Sequence, residues 1–185
     1  MKKTILVILI ASTLFACKNT STINTDQAGK VIITYLKGNP EYKTTRFDFG
    51  ELKFNTEKEY AVLENYRQLA NDGYITLTRL SAKKKFLSKD SSYVYSAKLT
   101  QKASEYVLKQ DADKATVKAV TYELTDEKPV DFSKVNDATA KVTVSLKKVN
   151  TPFAAFQKKS EENSEFLTKT YRLKYDKEEG WKVRK

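Results

Sequence analysis

Few side chains in this sequence of 185 residues have the types and spacings that catalysis, metal binding or disulfide formation requires. Histidine is absent and Cys17 is the only cysteine, which excludes a histidine base, a histidine metal site and a disulfide framework. A serine nucleophile would need a lysine base, and two Ser-x-x-Lys pairs occur, Ser81 with Lys84 and Ser145 with Lys148. With 12 serines and 29 lysines in the chain, about two such pairs arise by chance. The spacing therefore predicts no serine enzyme.

Carboxylates are numerous, but they cluster where turns are predicted. The clusters are Asp111 with Asp113, Asp126 with Glu127, Glu161 and Glu162 with Glu165, and Asp176 with Glu178 and Glu179. Glycoside hydrolysis needs two carboxylates that face each other across a cleft. A calcium loop needs a longer alternating run of oxygen ligands with an internal glycine. We interpret these acids as solvated turn residues, and the sequence indicates no catalytic residue, metal site or cofactor.

The N-terminus has the pattern of an export signal. Two lysines at positions 2 and 3 precede an apolar stretch, residues 4–15, that is shorter than the ~20 apolar residues of a membrane-spanning helix. The sequence Leu14-Phe15-Ala16-Cys17 follows at once, and polar residues begin directly after it. This junction resembles the lipobox of bacterial lipoproteins. The alternatives are an ordinary secretory signal that leaves Cys17 as a free thiol, or an uncleaved anchor.

The lipobox resemblance implies where the mature protein resides. It implies cleavage before Cys17, a thioether-linked diacylglycerol on the Cys17 sulfur and an additional acyl chain on its amino group. Two or three acyl chains exceed the single chain that gives only marginal membrane binding. We therefore expect an exported protein that a lipid holds at the cell envelope. If the host has two membranes, Lys18 after the cysteine implies the outer membrane.

The chain is strongly basic, with a formal net charge of +11 that comes mostly from lysine. Lysine lacks the planar fork that suits bidentate recognition of phosphates and bases, so the charge favours anionic surfaces over specific nucleic-acid recognition. The densest basic patch lies at the tip of a predicted hairpin and comprises Lys83, Lys84, Lys85, Phe86 and Lys89. It could contact anionic lipid headgroups or a glycan. The alternative is a solvated loop whose charge prevents edge pairing.

The first half of the mature chain predicts helices and a hairpin. Periodicity predicts helices over residues 25–37, 57–71 and 101–110, strands over 46–54, 74–80 and 93–99, and a lysine-rich loop over 81–91. Gly38 ends the first helix, and Thr56 with Glu59 has the spacing of a capping box for the second. A change of alternation at Gly50 predicts a bulge or turn, and Thr100 is the expected cap of the third helix.

The segment 63–108 resembles part of a winged-helix domain. The resemblance lies in residues 69–75, which end a helix and begin a strand, and in residues 95–103, where a strand returns into the predicted third helix. A winged helix has two helices before its hairpin, and only one is predicted close upstream here. Because export also separates the protein from DNA, no nucleic-acid partner is expected.

The second half predicts an antiparallel sheet. Strands rich in Val, Thr and Tyr are expected over residues 115–124, 138–149 and 165–175, and a turn at Gly180 opens a final strand. Phe153, Phe156 and Trp181 are expected to fill the inner face of the sheet. The closing run, residues 171–183, resembles the terminal hairpin of NTF2-like α+β domains. That resemblance implies a curved sheet that wraps a helix around a pocket.

Together these features predict an α+β protein. The expected organisation is a signal peptide (1–16), a lipidated tether (17–24), a helix and hairpin region (25–110) and an antiparallel β region (111–185), the last two being either separate or one continuous domain. The leading function is a non-catalytic binding or envelope-associated module for a protein, glycan or anionic lipid. The alternative is a pocket-containing hydrolase or isomerase of NTF2-like type that uses tyrosine, lysine and carboxylate side chains. Two acids that converge in a deep cleft would favour the enzyme, and an exposed aromatic groove would favour binding.

Overall fold

The computed structural model describes residues 22–84, 91–157 and 164–184. In these ranges the fold is α+β, as predicted, with two α-helices, ten strands in two antiparallel sheets and two short 3-10 helices. The helices are α1 (Thr25–Gly38) and α2 (Glu57–Asn71), and the 3-10 helices are Gln101–Glu105 and Ala154–Phe156. The strands are β1 (Glu41–Asp48), β2 (Gly50–Phe54), β3 (Ile75–Lys84), β4 (Ser91–Leu99), β5 (Val107–Gln110), β6 (Lys114–Leu124), β7 (Asp131–Asn136), β8 (Thr139–Asn150), β9 (Phe166–Asp176) and β10 (Gly180–Val183).

Both α-helices begin with reciprocal caps that the sequence encodes locally. At α2 the hydroxyl of Thr56 accepts from the backbone of Glu59, and the Glu59 carboxylate accepts from the Thr56 backbone, which confirms the predicted capping box. At α1 the Asn24 side chain accepts from Gln27 N at 2.9 Å, and the Gln27 side chain accepts from Asn24 N at 3.1 Å. These caps satisfy backbone donors that would otherwise lack a partner at the helix ends.

The chain changes sheets at Gly50. This residue has a φ of +85°, in the left-handed region that favours glycine, and it is the first residue of β2, two positions after the end of β1. β1 pairs with β6 in a seven-stranded sheet, whereas β2 pairs with β4 in a three-stranded sheet of order β2-β4-β3. The turn expected at Gly50 therefore sends two consecutive strands into different sheets.

The larger sheet is curled and contributes to the two hydrophobic cores that the described residues form. Its order is β1-β6-β8-β9-β10, with β5 also on β6 and β7 also on β8. The first core packs α2 and the small sheet against β1 and β6, around the fully buried Phe47 and Phe153. The second core packs α1, through Ala28 and Ile32, against β8 and β9. We call the face of the sheet that α1 covers the inner face.

Segments from both predicted regions contribute to this sheet. β1 and β5 come from before residue 111, yet both pair with β6, which follows it. The helix α1, also from the first region, packs on strands of the second. Phe153 and Phe156 join the first core, and Trp181 packs against the second.

The secondary structure differs from the prediction at the loop over 81–91, at the third helix and its cap, and in one additional strand. Of the loop predicted over 81–91, residues 81–84 belong to β3 and Ser91 begins β4, whereas residues 85–90 lie outside the described ranges. The third helix is a 3-10 turn followed by β5, because pairing with β6 outweighs a weak helical pattern. Thr100 does not cap it, and its hydroxyl instead donates to the carbonyls of Gly73 and Tyr74, at 2.7 and 3.0 Å. The strand β7 was not expected at all.

Candidate functional site

The residues that the sequence singled out are only partly within the described ranges. Lys83 and Lys84 lie exposed at the end of β3, where the hairpin leaves the small sheet. The other members of the basic patch, Lys85, Phe86 and Lys89, lie outside the described residues, as does the proposed lipid attachment residue Cys17. The anionic-surface patch and the anchor therefore both stay predictions.

Strand geometry separates the members of each Ser-x-x-Lys pair. Ser81 and Lys84 lie on β3, and Ser145 and Lys148 lie on β8. Successive side chains of a strand point to opposite faces of the sheet, so residues three apart lie on opposite sides. Neither lysine is thus placed to deprotonate the serine of its own pair.

A groove with a mostly apolar lining lies between α1 and β10. It has a volume of about 470 Å³. We call it the α1/β10 groove, and its lining residues are Lys30, Val31, Thr34, Tyr35 and Asn39 of α1 and Trp181, Lys182 and Val183 of β10. The lining includes two aromatic side chains, Tyr35 and Trp181, and no carboxylate. Such a surface suits an apolar ligand, and it holds no acid that could transfer a proton.

The sequence forms this groove through two simple periodicities. Ala28 and Ile32 of α1 are fully buried in the second core, which leaves Val31 and Tyr35 on the flank of the helix that faces β10. On β10, Trp181 and Val183 alternate with the exposed Lys182, so both apolar side chains turn toward α1. The groove is therefore the gap that remains where the helix passes the last strand of the sheet.

Trp181 has an unusual environment on the β10 side of the groove. Its indole Nε1 is buried and has no hydrogen-bond partner among the described residues. Its ring packs on that of Tyr175, with 5.6 Å between ring centroids. A buried donor without a partner is costly, so part of the stabilisation from burying this ring is offset.

A second, polar cluster lies on the inner face near the start of β1. The Glu41 carboxylate accepts a hydrogen bond from the Tyr171 hydroxyl at 3.0 Å and forms an ion pair with Lys169. We call these three residues the Glu41 cluster. The Tyr171 ring also makes an edge contact with Tyr35, with 5.8 Å between centroids, which connects the cluster to the helix that lines the groove.

The electrostatics of the Glu41 cluster favour binding over proton transfer. Burial, followed by the hydrogen bond to Glu41, raises the pKa of Tyr171 well above its ordinary value. The hydroxyl therefore stays protonated and acts as a donor, whereas a general base works best with a pKa near neutral pH. The cluster contains one carboxylate, so it lacks the facing pair that glycoside hydrolysis requires.

Sequence reasoning missed the Glu41 cluster, although β9 carried a signal for it. One face of the strand carries Leu167, Lys169, Tyr171 and Leu173. The three of them that are not lysine pack in or against the second core, so this face points inward. A lysine within an otherwise apolar face indicates an acidic partner nearby, and Glu41 is a partly exposed one. The identity of that partner could not be read, because Glu41 is 128 residues away in the sequence.

Two further observations limit the chemistry of the described residues. They contain no group of three His, Cys, Asp or Glu side chains that could hold a metal ion. Neither α1 nor α2 is long and apolar enough to cross a membrane. No protein-family model, curated protein or solved structure matches the chain.

Proposed function

We propose that this protein is a lipid-anchored, exported binding module that uses the α1/β10 groove to hold a partner close to a membrane. The observation that carries the proposal is the lining of the groove, which presents Tyr35 and Trp181 and contains no acid. An aromatic groove without converging acids favours a binding module over a hydrolase. The lipobox-like sequence that ends at Cys17 supports the anchored location.

The short stretch of chain between Cys17 and the folded body limits how far that body can lie from the membrane. Ile23 is buried in the second core, six residues after Cys17. Six residues span at most about 20 Å when fully extended. If Cys17 carries the lipid, Ile23 must remain within that distance of the bilayer surface. The lining of the groove begins at Lys30, in the first half of α1, so the groove belongs to the part of the folded body that the tether would hold close to the membrane.

The nature of the partner and the membrane involved also belong to the proposal. An envelope protein, a glycan and an anionic lipid are the candidate partners, and the outer membrane is the proposed site in a host with two membranes. Lysines dominate the charge of the chain, so an anionic partner is favoured. No nucleic-acid partner is proposed.

The second candidate is an enzyme of hydrolase or isomerase type. The Glu41 cluster supports it, because the cluster brings together the tyrosine, lysine and carboxylate that such a site would use. The pairing of these groups with one another argues against it, since the carboxylate and the hydroxyl already satisfy each other. The binding function is therefore the better supported of the two.

Metabolic labelling tests the anchor. Labelled palmitate should enter the wild type and the control variant Lys18→Ala, which keeps the cysteine, and should not enter Cys17→Ala. The Cys17→Ala protein should also leave the membrane fraction. Equal labelling of the two variants, or an intact leader in the mass of the native polypeptide, would remove the anchor from the proposal.

Site-specific photo-crosslinking in cells tests the groove. A photoreactive amino acid in place of Thr34, inside the groove, should give discrete adducts with a partner. The same group in place of Arg172, which is exposed on β9 and is not part of the groove lining, is the matched control. Adducts of equal yield from both positions, or none from Thr34, would contradict the proposed use of the groove.

A further inference from the structure

The face of the seven-stranded sheet opposite to α1 carries cations on three neighbouring strands. We call it the outer face. Along β8 and β9, the side chains of the second core alternate with side chains that point to the outer face. Between residues 139–145 of β8 and 168–174 of β9, the outer side chains are Lys141, Arg172 and Lys174 and otherwise only serine and threonine. This stretch of the outer face therefore has neither an acidic nor an apolar side chain.

The strand register places these cations side by side. Lys141 lies directly opposite Arg172. Arg184 lies on the other side of Arg172, because its N–H donates to the Arg172 carbonyl at 2.8 Å and continues the ladder between β9 and β10. Lys174 follows Arg172 by two residues on the same face. Side chains directly opposite each other have Cβ atoms about 5 Å apart, so the four exposed cations form one compact group. We call Lys141, Arg172, Lys174 and Arg184 the outer cation cluster.

The outer cation cluster lacks ion pairs that would offset its own repulsion. Like charges directly opposite each other on a sheet are destabilising. None of the four cations forms an ion pair with a described residue. Two lysines next to the cluster differ in this respect, since Lys182 pairs with Asp176 and Glu179, and Lys134 pairs with Asp137. The unpaired charge is therefore concentrated on the cluster itself.

The nearest acids lie at the margins of the cluster. Asp176 follows Lys174 on β9, but its carboxylate is already paired with a lysine of β10 and accepts the backbone N–H groups of residues 178 and 179. Asp131 of β7 lies diagonal to Lys141. Two acids thus adjoin four cations, and one of the two is already paired. Positive charge remains that an anion from outside the chain can neutralise.

The shape and chemistry of the outer face favour a polysaccharide as that anion. The cations are spread over three strands instead of converging on one point, which suits a chain that carries repeated anionic groups. The neighbouring hydroxyls of Thr143 and Thr170, whose oxygens are 2.9 Å apart, can also hydrogen-bond to sugar hydroxyls. A face that binds a bilayer combines cations with apolar side chains that enter it, and this stretch has no apolar side chain. The tether also disfavours a bilayer here, because Ile23 joins the second core on the opposite side of the sheet.

We propose that the outer cation cluster binds a linear polysaccharide that carries carboxylate groups. The sugar chain lies across β8, β9 and β10, with its carboxylates against the cations and its hydroxyls against the neighbouring threonines. None of the four cations lines the α1/β10 groove. The inference therefore goes beyond the proposed function, and each of the two can fail without the other.

Fluorescence anisotropy of an end-labelled oligogalacturonate, with the full chain in nonionic detergent micelles, tests the inference. We expect saturable binding that weakens as salt is raised, because salt screens exposed charges. A neutral maltooligosaccharide of the same length should not bind. Lys141→Gln combined with Arg172→Gln removes the opposed pair at the centre of the cluster. Each lost exposed contact should weaken binding roughly threefold, so this double variant should bind roughly tenfold more weakly.

A second double variant controls for the change in net charge. Lys58→Gln combined with Lys98→Gln removes the same charge from exposed lysines of α2 and β4 that form no ion pair with a described residue. It should change binding by less than about twofold, because these charges are distant from the cluster and screened. The melting temperature of the Lys141 and Arg172 double variant should equal or exceed that of the wild type, since the variant removes opposed like charges.

Four results would overturn the inference. They are no saturable binding of the oligogalacturonate, equal binding of the neutral oligosaccharide, equal losses in the two double variants, and a lower melting temperature of the Lys141 and Arg172 variant, which would assign these cations a role in stability. Displacement of the oligogalacturonate by mixed micelles that contain phosphatidylglycerol, at the same concentration of anionic groups, would instead assign the face to a lipid surface and would also reject the polysaccharide. The crosslinking test of the groove stays distinguishable, because polysaccharide adducts at Arg172 would be polydisperse, whereas Thr34 is expected to give discrete adducts.

Discussion

Replacing Gly29 with alanine tests how closely α1 is seated on the sheet, and hence the geometry of the groove. A Cβ atom built at Gly29 would lie well inside 3.0 Å of the Glu127 carbonyl oxygen and 3.2 Å from Cδ of Pro129. Both atoms belong to the turn between β6 and β7. Backbone atoms cannot rotate aside as a side chain can, so the helix and the turn must move apart.

The expected cost follows from two opposing effects. Overpacking costs about 1–3 kcal/mol, and a collision with backbone belongs at the upper end, about 3 kcal/mol. Alanine regains about 1 kcal/mol of helix propensity over glycine. The net destabilisation is about 2 kcal/mol, which lowers the melting temperature of a chain of this size by about 4–8 °C. Gly38→Ala, at the end of the same helix, has nothing within 4 Å of its Cβ and should be neutral or slightly stabilising.

Thermal unfolding followed by circular dichroism measures both variants in the same detergent. Trp181 fluorescence adds a second readout, because movement of α1 away from the β6–β7 turn would shift the helix relative to β10. The reasoning is refuted if the melting temperature of Gly29→Ala equals or exceeds that of Gly38→Ala. That result would mean that α1 does not rest against the turn, and the described position of α1 beside β10 would be wrong.

Two other predictions concern the ionisation of tyrosine side chains and the ion pair between Glu41 and Lys169. Burial raises the pKa of Tyr106 to about 12 and that of Tyr171 further. Unfolded tyrosine ionises near pH 10, so stability should be full below about pH 10 and decline above it. The raised pKa values are contradicted if the tyrosinate absorbance of the folded wild type already exceeds that of Tyr106→Phe and of Tyr171→Phe near pH 10. Glu41→Gln keeps an oxygen for Tyr171 but loses the ion pair with Lys169, which should cost about 1 kcal/mol in denaturant unfolding. The exposed-pair control Glu64→Gln should change stability by less than about 0.5 kcal/mol, and equal losses would show that the cluster contributes no more than a surface pair.

Local signals in the sequence were sufficient for much of the fold. Three features depend only on residues close together in the sequence: the capping box at Thr56, the end of α1 at Gly38 and the change of alternation at Gly50. They can therefore be predicted from a short window of sequence. The same holds for the long, Val-rich strands, whose alternation is strong. Both α-helices begin and end within a residue of the predicted bounds.

Elements that depend on distant partners were predicted less well. Most of β7 is exposed and only Phe132 packs on the second core, so its sequence shows little alternation. β5 forms because β6 offers it an edge, although the same residues have a helical pattern in isolation. In both cases the deciding contacts lie on another strand, and no short window of sequence contains them.

The candidate site shows the same division between local and distant information. The final hairpin and the inward position of Trp181 were predictable, since the turn at Gly180 and the alternation after it are local. That β10 ends the sheet was not, because its open edge depends on where every other strand pairs. The passage of α1 beside that edge depends in turn on Gly29, whose missing side chain lets the helix approach the β6–β7 turn. A groove formed by the edge of a sheet and the side of a helix therefore depends on the whole topology. For that reason no single sequence motif predicted it.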